Sequence, residues 1–209
     1  MVLAEVIIKS VSDTRIALDL ALTIRHDGRG GVADDLATPD GLTRWVRERR
    51  GPLGDAAPDD TWAADEQTLE AVRSLRAAVR ALFAHAVRPG EPSPADAGRL
   101  LPFGEALRLL NTAAAAVPTV PHLDWVPDRD PVAHDHPIGG TAGPDVVPAA
   151  LARAAVGFLA GPDRTALRAC HAPRCVRYFV KEHPRQEWCK PSCGNRARVA
   201  RHHERHRTP

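Results

Sequence analysis

The positions of the cysteines constrain this chain more than any other feature. The first 169 residues contain no cysteine, and four then follow within 24 residues. They form two short-range pairs, with four and three intervening residues, and thirteen residues separate the pairs. Two such pairs can supply the four ligands of a closed tetrahedral zinc site. The spacing therefore predicts one structural Zn²⁺ ion, bound by Cys170, Cys175, Cys189 and Cys193.

Three other states of these cysteines remain open at this point: two disulfides, an iron–sulfur cluster, or four free thiols. Disulfides are uncommon in a reducing cytoplasm, and iron–sulfur ligands usually have tighter or different spacings. Free thiols would not explain the clustering. We expect metal binding and folding to be coupled, because a segment of about 40 residues rarely folds without a metal or another constraint.

The sequence around the cysteines predicts a knuckle, a hairpin and a helix, which together resemble a treble-clef zinc finger. The segment "CVRYFV" alternates like a strand, "EHPRQ" can turn the chain, and "EWC" would return as the partner strand. Trp188 is expected to cover the metal beside Cys189. Gly194 is expected to adopt backbone angles that aim amide groups at a ligand sulfur. The following "NRARVARHHERHR" is expected to be helical, with Cys193 at its start.

Charge is distributed unevenly along the chain. Residues 164–209 contain twelve Lys or Arg and three Asp or Glu, a net charge of +9, and residues 1–163 carry −7. Such asymmetry suggests that the basic part binds a polyanion, although it could also pair with the acidic part.

The final helix would carry most of this positive charge. At helical spacing, Arg198, Arg201 and Arg205 form one stripe, which we expect to read base edges. Arg196 and Arg207 lie on the opposite flank and, with Lys190, are expected to contact DNA as well. Cys193, Ala197 and Ala200 share a side of small residues suited to packing on the finger. A merely solvated basic face would show the same pattern.

The upstream sequence predicts a mainly α-helical domain with minor β structure. Aromatic residues make up only 4% of the chain, which favours packed helices over a β-sandwich. The clearest helix is "DEQTLEAVRSLRAAVRALFAHAV", with apolar residues at spacings of three and four. We expect the domain to span residues 1–161 and the finger residues 164–209.

Other elements of this domain are predicted from caps and breakers. Thr38 and Pro39 should start a helix that Gly51 stops, and Ser93 should cap another that Pro102 bends or divides. The segment "SDTRIALDLALTIR" could be helix or strand. The Pro- and Gly-rich segment 117–144 should be mostly loop, with short strands such as "HLDWV". "DVVPAALARAAVGFLAG" should be helical.

Weaker signals point to other kinds of site. "GRGG" at Gly28–Gly31 could cradle a phosphate but lacks the rest of a P-loop. His134 and His136 could bind a metal together with Asp135. The spacing of Ser, His, Asp and Cys residues does not argue for catalysis, so we expect no enzyme and no catalytic residues.

The expected compartment is the cytoplasm. No apolar run reaches the roughly 18–20 residues that span a membrane, so we expect no membrane partner. The segment "MVLAEVIIKSVSD" has no basic leader and no long apolar core, and is a poor signal peptide.

The motif "WC…CGNRARVARHHER" resembles the C-terminal CGNR zinc finger of a family of bacterial transcription regulators. Upstream, "ALDLALT", "LATPDGLTRWV", "LRAAVRALF" and "LNTAAAA" resemble the ABATE domain, a stress-induced regulator that is the usual partner of this finger. The resemblance covers nearly the whole chain and implies DNA binding.

These observations predict a bacterial transcription regulator that binds DNA through a four-cysteine zinc finger and its basic helix. The upstream domain would sense a small-molecule effector, form a homodimer or contact a partner. The alternative is a protein-interaction adaptor that docks through the zinc hairpin. A third, less favoured interpretation is an enzyme with its site in the helical domain.

Overall fold

The computed structural model describes residues 14–29, 31–96, 98–138 and 143–207, and these contain eight α-helices and six strands. The helices are α1 (Ile16–Ala21), α2 (Pro39–Arg47), α3 (Arg50–Leu53), α4 (Glu66–Ala86), α5 (Phe103–Ala115), α6 (Val146–Ala160), α7 (Asp163–Ala166) and α8 (Pro191–Arg207). The strands are β1 (Ile24–His26), β2 (Val32–Asp34), β3 (Thr119–Asp124), β4 (Val132–Pro137), β5 (Leu167–Ala169) and β6 (Tyr178–Val180). The predicted fold class, mainly α with minor β, is confirmed.

All three sheets are antiparallel pairs: β1 with β2, β3 with β4, and β5 with β6. The sequence segment that could be helix or strand is both, because α1 ends at Ala21 and β1 begins at Ile24. The Pro- and Gly-rich segment predicted to be mostly loop contains the regular β3–β4 hairpin. The N-terminal segment considered as a signal peptide, residues 1–13, lies outside the described residues.

Helix α4 lies at the centre of the helical body, which we define as residues 14–166, and contacts α1, α5 and α6. Asp65 caps it by accepting a hydrogen bond from Thr68 N, and its apolar face is buried as the periodicity predicts. Phe83 of α4 and Phe158 of α6 meet at 5.1 Å between ring centroids. The large side chains that are fully buried in this core include Ile16, Leu20, Leu69, Phe83, Leu110, Leu151 and Phe158.

Two predicted helix boundaries are wrong. Thr38 does cap α2, by accepting from Gly41 N at 3.1 Å, but α2 ends at Arg47 and Gly51 lies inside the next short helix, α3. Ser93 starts only a 3-10 turn at Pro94–Asp96, and α5 begins after Pro102 rather than being bent by it. A proline suits a helix start better than a helix interior, because it has no N–H to donate.

The apolar face of α4 also buries two arginines, which periodicity alone did not reveal. Arg76 donates to both carboxylate oxygens of Asp34, at 2.5 and 2.7 Å. Burial opposes ionisation of Asp34, but the hydrogen bond and charge of Arg76 lower the pKa of this carboxyl. The second arginine, Arg80, pairs with Asp96 at 2.6 Å, and their side chains are only 6% and 7% exposed.

Arg80 belongs to a buried network that joins the cysteine-bearing segment to the helical body. Its guanidinium donates to the carbonyl oxygens of Ala21, at 2.6 Å, and Val176, at 3.4 Å. Tyr178 donates its hydroxyl to the second carboxylate oxygen of Asp96, at 2.6 Å. Breaking such a buried pair by removing one partner costs about 3–5 kcal/mol. The network therefore fixes β6 firmly against α4.

The core of the helical body also includes residues that follow it in sequence. Leu167 of β5 and Tyr178 of β6 are buried in the same apolar cluster as α1, α4 and α6. The Tyr178 ring meets Phe83 edge-on, with centroids 5.6 Å apart. Residues on both sides of the expected boundary between 1–161 and 164–209 therefore belong to one core. That each part folds alone stays a prediction.

Candidate metal centre and nucleic-acid interface

The four cysteines, which we call the cysteine cluster, converge at the start of α8. Their sulfur atoms all lie within 4.8 Å of one another. Cys175 Sγ is 3.7 Å from Cys189 Sγ, and Cys189 Sγ is 3.5 Å from Cys193 Sγ. A tetrahedral zinc site with Zn–S bonds of about 2.3 Å has S···S edges of about 3.8 Å. The cluster therefore fits one Zn²⁺ ion bound by four thiolates.

The backbone shapes each cysteine pair into a tight turn. Cys175 N donates to the carbonyl oxygen of Ala172 at 2.9 Å, and Cys193 N donates to that of Lys190 at 3.0 Å. The first turn requires a left-handed backbone conformation at Arg174, with φ 62°, which is uncommon for a residue other than glycine. These backbone turns bring the two thiols of each pair close together.

The electrostatics of the cluster also favour a cation. Hydrogen bonds from the Cys175 and Cys189 thiols lower the pKa of Cys170. The hydrogen bond with Cys170 raises the pKa of Cys175 and of Cys189. One thiolate at Cys170 thus opposes ionisation of its neighbours, and a bound Zn²⁺ removes that opposition.

The geometry and the family match together favour zinc over the other states that the cysteine spacing left open. None of the four cysteines forms a disulfide, since separations of 3.5 and 3.7 Å far exceed the roughly 2.05 Å of an S–S bond. The geometry matches a closed four-thiolate site, and the predicted single structural zinc ion is confirmed as the cofactor that the cluster fits.

The predicted hairpin within the finger is wrong in its partner strand. Strand β6 pairs with β5, which precedes the first cysteine, and not with the segment around Trp188. Cys170 N donates to the Arg177 carbonyl oxygen at 2.8 Å, so the pairing continues up to the first knuckle. Leu167 is buried in the body core, and this burial holds β5 beside β6.

Trp188 packs against the cysteine cluster, as expected, but Gly194 has a different role from the one predicted. Gly194 lies inside α8 and its φ is not in the left-handed region. A Cβ atom at this position would lie 3.1 Å from Trp188 Cδ1. The glycine therefore lets the tryptophan ring approach the helix closely.

Helix α8 turns its small residues inward and its basic residues outward. Cys193 and Ala197 are buried and Ala200 is half-buried, as the helical spacing predicts. Arg198, Arg201 and Arg205 are exposed. Arg198 donates to Asn195 Oδ1, and the Arg207 side chain lies outside the described part of the structure. The exposed stripe is thus present, but its contacts with DNA stay a prediction.

Lys190 and Arg196 come together in a second basic feature, which we call the basic pocket. This cavity of about 310 Å³ lies beside the cysteine cluster. None of the described residues that line it is acidic, and its cationic side chains are Arg25, Arg174, Arg177, Lys190 and Arg196. Arg196 also donates to Cys193 Sγ at 3.0 Å.

His26 lines the basic pocket and has an unsatisfied nitrogen. Gly28 N donates to His26 Nδ1 at 2.8 Å, so the ring proton of neutral His26 belongs on Nε2. This Nε2 is buried and has no hydrogen-bond partner in the described part of the chain.

The sequence reasoning missed Arg25, His26, Arg174 and Arg177 as parts of this surface. Arg174 and Arg177 lie between predicted zinc ligands, and this position in the sequence could have indicated that they lie near the metal site. Arg25 and His26 come from strand β1, about 150 residues earlier in sequence, and no local pattern indicates that they meet the finger.

The helical body has a larger pocket, which we call the body pocket. It has a volume of about 470 Å³ and is lined by Asp19, Arg25, Asp34, Asp35, Arg44, Arg49 and Arg177, among others. Several of its charges are already paired, since Arg25 contacts Asp35 at 2.6 Å and Arg49 contacts Asp19 at 3.3 Å. Arg177 lines this pocket as well as the basic pocket.

Neither of the weaker sequence signals forms the site considered for it. In the "GRGG" turn, the backbone N–H groups of Arg29 and Gly31 donate to Asp27 Oδ1, so they are not directed at a phosphate. Gly30 lies outside the described residues. Asp135 does not join His134 and His136, because adjacent strand residues point to opposite faces.

Two known family models match the chain, one over the helical body and one over the cysteine-bearing segment. The sequence model of the ABATE family, described as "Putative stress-induced transcription regulator", matches residues 14–162. The model of the CGNR zinc finger matches residues 166–206. No curated protein gives a significant match. Within the described residues, no helix has the length and apolar character needed to cross a membrane. The chain belongs to the ABATE family and carries a C-terminal CGNR zinc finger.

Proposed function

We propose that this protein is a cytoplasmic transcription regulator that binds DNA through its zinc finger and α8. The observation that carries the proposal is the basic pocket, which five cationic side chains and no described acidic one line next to the cysteine cluster. Arg25 is paired with Asp35, and the other four cations lie in or between the elements of the finger, whose helix α8 also exposes Arg198, Arg201 and Arg205. Phosphate neutralisation by such groups supplies most of the affinity in sequence-independent DNA binding. The family description as a stress-induced transcription regulator supports the same interpretation.

The two basic features suit different contacts. Arg198, Arg201 and Arg205 lie on one exposed stripe of α8, and three arginines on one helix can enter a major groove together. Lys190 and Arg196 line the concave basic pocket, where a phosphate would meet several donors at once. We therefore assign base reading to the stripe and backbone contact to the pocket, with Arg207 as a further phosphate contact.

The helical body would sense an effector through the body pocket. Arg177 lines both pockets, so an effector bound in the body pocket would touch a residue that also serves the DNA surface. The carboxylates there are engaged with arginines, and the pKa of Asp34 is lowered rather than raised. These properties suit the binding of a charged ligand more than general acid catalysis, so we propose a regulator and not an enzyme.

A DNA titration across a salt series tests the proposal. The Arg198→Ala/Arg201→Ala/Arg205→Ala variant should lose sequence preference, at about 1–3 kcal/mol per base contact. Lys190→Ala should weaken binding to all sequences alike and reduce the slope of log K against log salt by about 0.9. Arg108→Ala, at an exposed arginine on α5, is the matched control and should bind like the wild type.

The adaptor alternative predicts a different outcome. If the triple variant keeps its zinc and binds DNA with unchanged affinity and preference, α8 is not the reading helix. The zinc finger would then be better explained as a surface that docks another protein.

A further inference from the structure

The β3–β4 hairpin gathers metal-ligating side chains on one face. Alternation along β3 places His122 and Asp124 on the same side, and alternation along β4 does the same for His134 and His136. The register pairs His122 directly with His134. Four candidate ligands from two strands therefore share one face of the sheet, far in sequence from the cysteine cluster.

The distances among three of these side chains match a metal site. His122 Nε2 is 3.4 Å from Asp124 Oδ1, and His134 Nδ1 is 3.6 Å from Asp124 Oδ2. The three side chains offer one ligand atom each within 4.8 Å of one another. Ligands at about 2.0–2.1 Å from a tetrahedral ion are separated by about 3.3–3.4 Å. The three ligand atoms lie within reach of one ion once the exposed His122 and Asp124 side chains adjust.

Asp55, which lies outside the hairpin, holds His134 in place. Asp55, in the 3-10 turn Gly54–Ala56, lies 3.1 Å from His134 Nε2, the ring nitrogen that does not face Asp124. Metal-bound histidines typically donate their second ring N–H to a carboxylate, which fixes the ring orientation. Asp55 also contacts His136 Nδ1, at 3.4 Å.

We propose that His122, Asp124 and His134 bind one divalent transition-metal ion, with Asp55 positioning His134. Two imidazoles and one carboxylate suit ions such as Zn²⁺ and leave coordination positions open for water or a small ligand. This site is separate from the closed four-thiolate site and contains no cysteine. A bound ion would strengthen the link between the β3–β4 hairpin and the Gly54–Ala56 turn, through Asp55.

Zinc titration of the tag-free, full-length protein, with one equivalent already in the cysteine cluster, tests the proposal. Isothermal titration calorimetry should show a second equivalent, which His122→Ala/His134→Ala and Asp124→Asn each remove. Asp55→Asn should weaken this equivalent about 10–100-fold. Cobalt bound at the second site should lack the thiolate-to-cobalt absorption that the cysteine cluster gives.

Two controls separate this site from adventitious binding. Asp135→Asn alters the opposite face of β4 and should leave the second equivalent intact. His202 and His206 of α8, with ring centroids 4.3 Å apart, could also capture zinc, and His202→Ala/His206→Ala should leave the hairpin equivalent unchanged. A single equivalent in the wild type overturns the proposal, as does a second one that survives Asp124→Asn or disappears with the α8 pair.

Discussion

The helical body and the zinc finger reach a folded state by different means. The body buries the apolar faces of α1, α4, α5 and α6 in one extensive core. The finger's own buried cluster contains three of its zinc ligands and only two other side chains, Ala172 and Phe179. We therefore expect burial of apolar surface to be sufficient for the first region, and the second to depend on coordination of a metal.

The body core does not end where the cysteine-bearing segment begins. Leu167 and Tyr178 flank the first knuckle in sequence, yet both are buried in the body core. We therefore expect the β5–β6 pair to be held by apolar packing, and the second knuckle and α8 to be held by the metal. On this interpretation the metal-dependent part is smaller than the CGNR finger matched at residues 166–206, and three variants test this prediction.

The largest effect is expected from Cys189→Ser. Losing one thiolate should abolish structural zinc binding, which supplies about 10 kcal/mol or more in zinc fingers. Elemental analysis should show loss of the ion, and circular dichroism should show loss of α8 while the body helices remain. Ser192→Ala, at an exposed residue between Cys189 and Cys193, is the matched control and should keep the zinc. A collapse of all helical signal in Cys189→Ser would contradict the division.

Phe158→Ala should destabilise the helical body and leave the zinc in the cysteine cluster, the reverse of Cys189→Ser. It removes a fully buried ring that packs against Phe83, and should lower the free energy of unfolding of the body by about 3–5 kcal/mol. Zinc content should stay at one equivalent in the cysteine cluster. Phe103→Ala, at a half-exposed residue on α5, is the matched control and should cost far less in urea unfolding. Zinc loss at the same urea concentration as body unfolding would show that the two regions unfold together.

Tyr178→Phe should have the smallest effect and tests the shared boundary. The variant keeps the ring but removes the hydroxyl that donates to Asp96 and accepts from Ser93 N. Leaving these buried groups unsatisfied should cost about 1–3 kcal/mol in urea unfolding, with zinc bound or removed. An effect seen only in the zinc-bound protein would place β6 in the metal-dependent part.

The same contact predicts how the stability of the wild type, measured against this variant, depends on pH. Burial, reinforced by the Asp96 charge, raises the pKa of Tyr178 above its ordinary value. A raised pKa gives stability that is complete below about pH 10 and is lost as pH rises, because the unfolded chain deprotonates first. The difference in unfolding free energy between wild type and Tyr178→Phe should therefore shrink by about 1.4 kcal/mol per pH unit above about pH 10. Tyr178 is the chain's single tyrosine, so its absorbance reports the titration directly.

Local patterns in the sequence were sufficient for the zinc ligands and for α4. Cysteine spacing and helical periodicity are short-range properties, and the structure retains both. The partner of β6 was missed because β5 precedes the first cysteine and directly follows a helical segment. Asp55 and Asp124 could not be linked to His134 either, because strand register and a distant turn bring them together. An arginine at a core position of α4, such as Arg80, was a usable signal of a buried ion pair.

The buried network around Arg80 also bears on the order of events during synthesis. Its contacts join Arg80 to Val176 across 96 positions, and Asp96 to Tyr178 across 82. Domains generally begin to fold from the N-terminal side as the chain is made. Here the core stays incomplete until residues beyond Tyr178 have left the ribosome, by which stage Cys170 and Cys175 are already exposed to metal. We therefore expect the core of the helical body to be complete before the zinc site, which also needs Cys189 and Cys193.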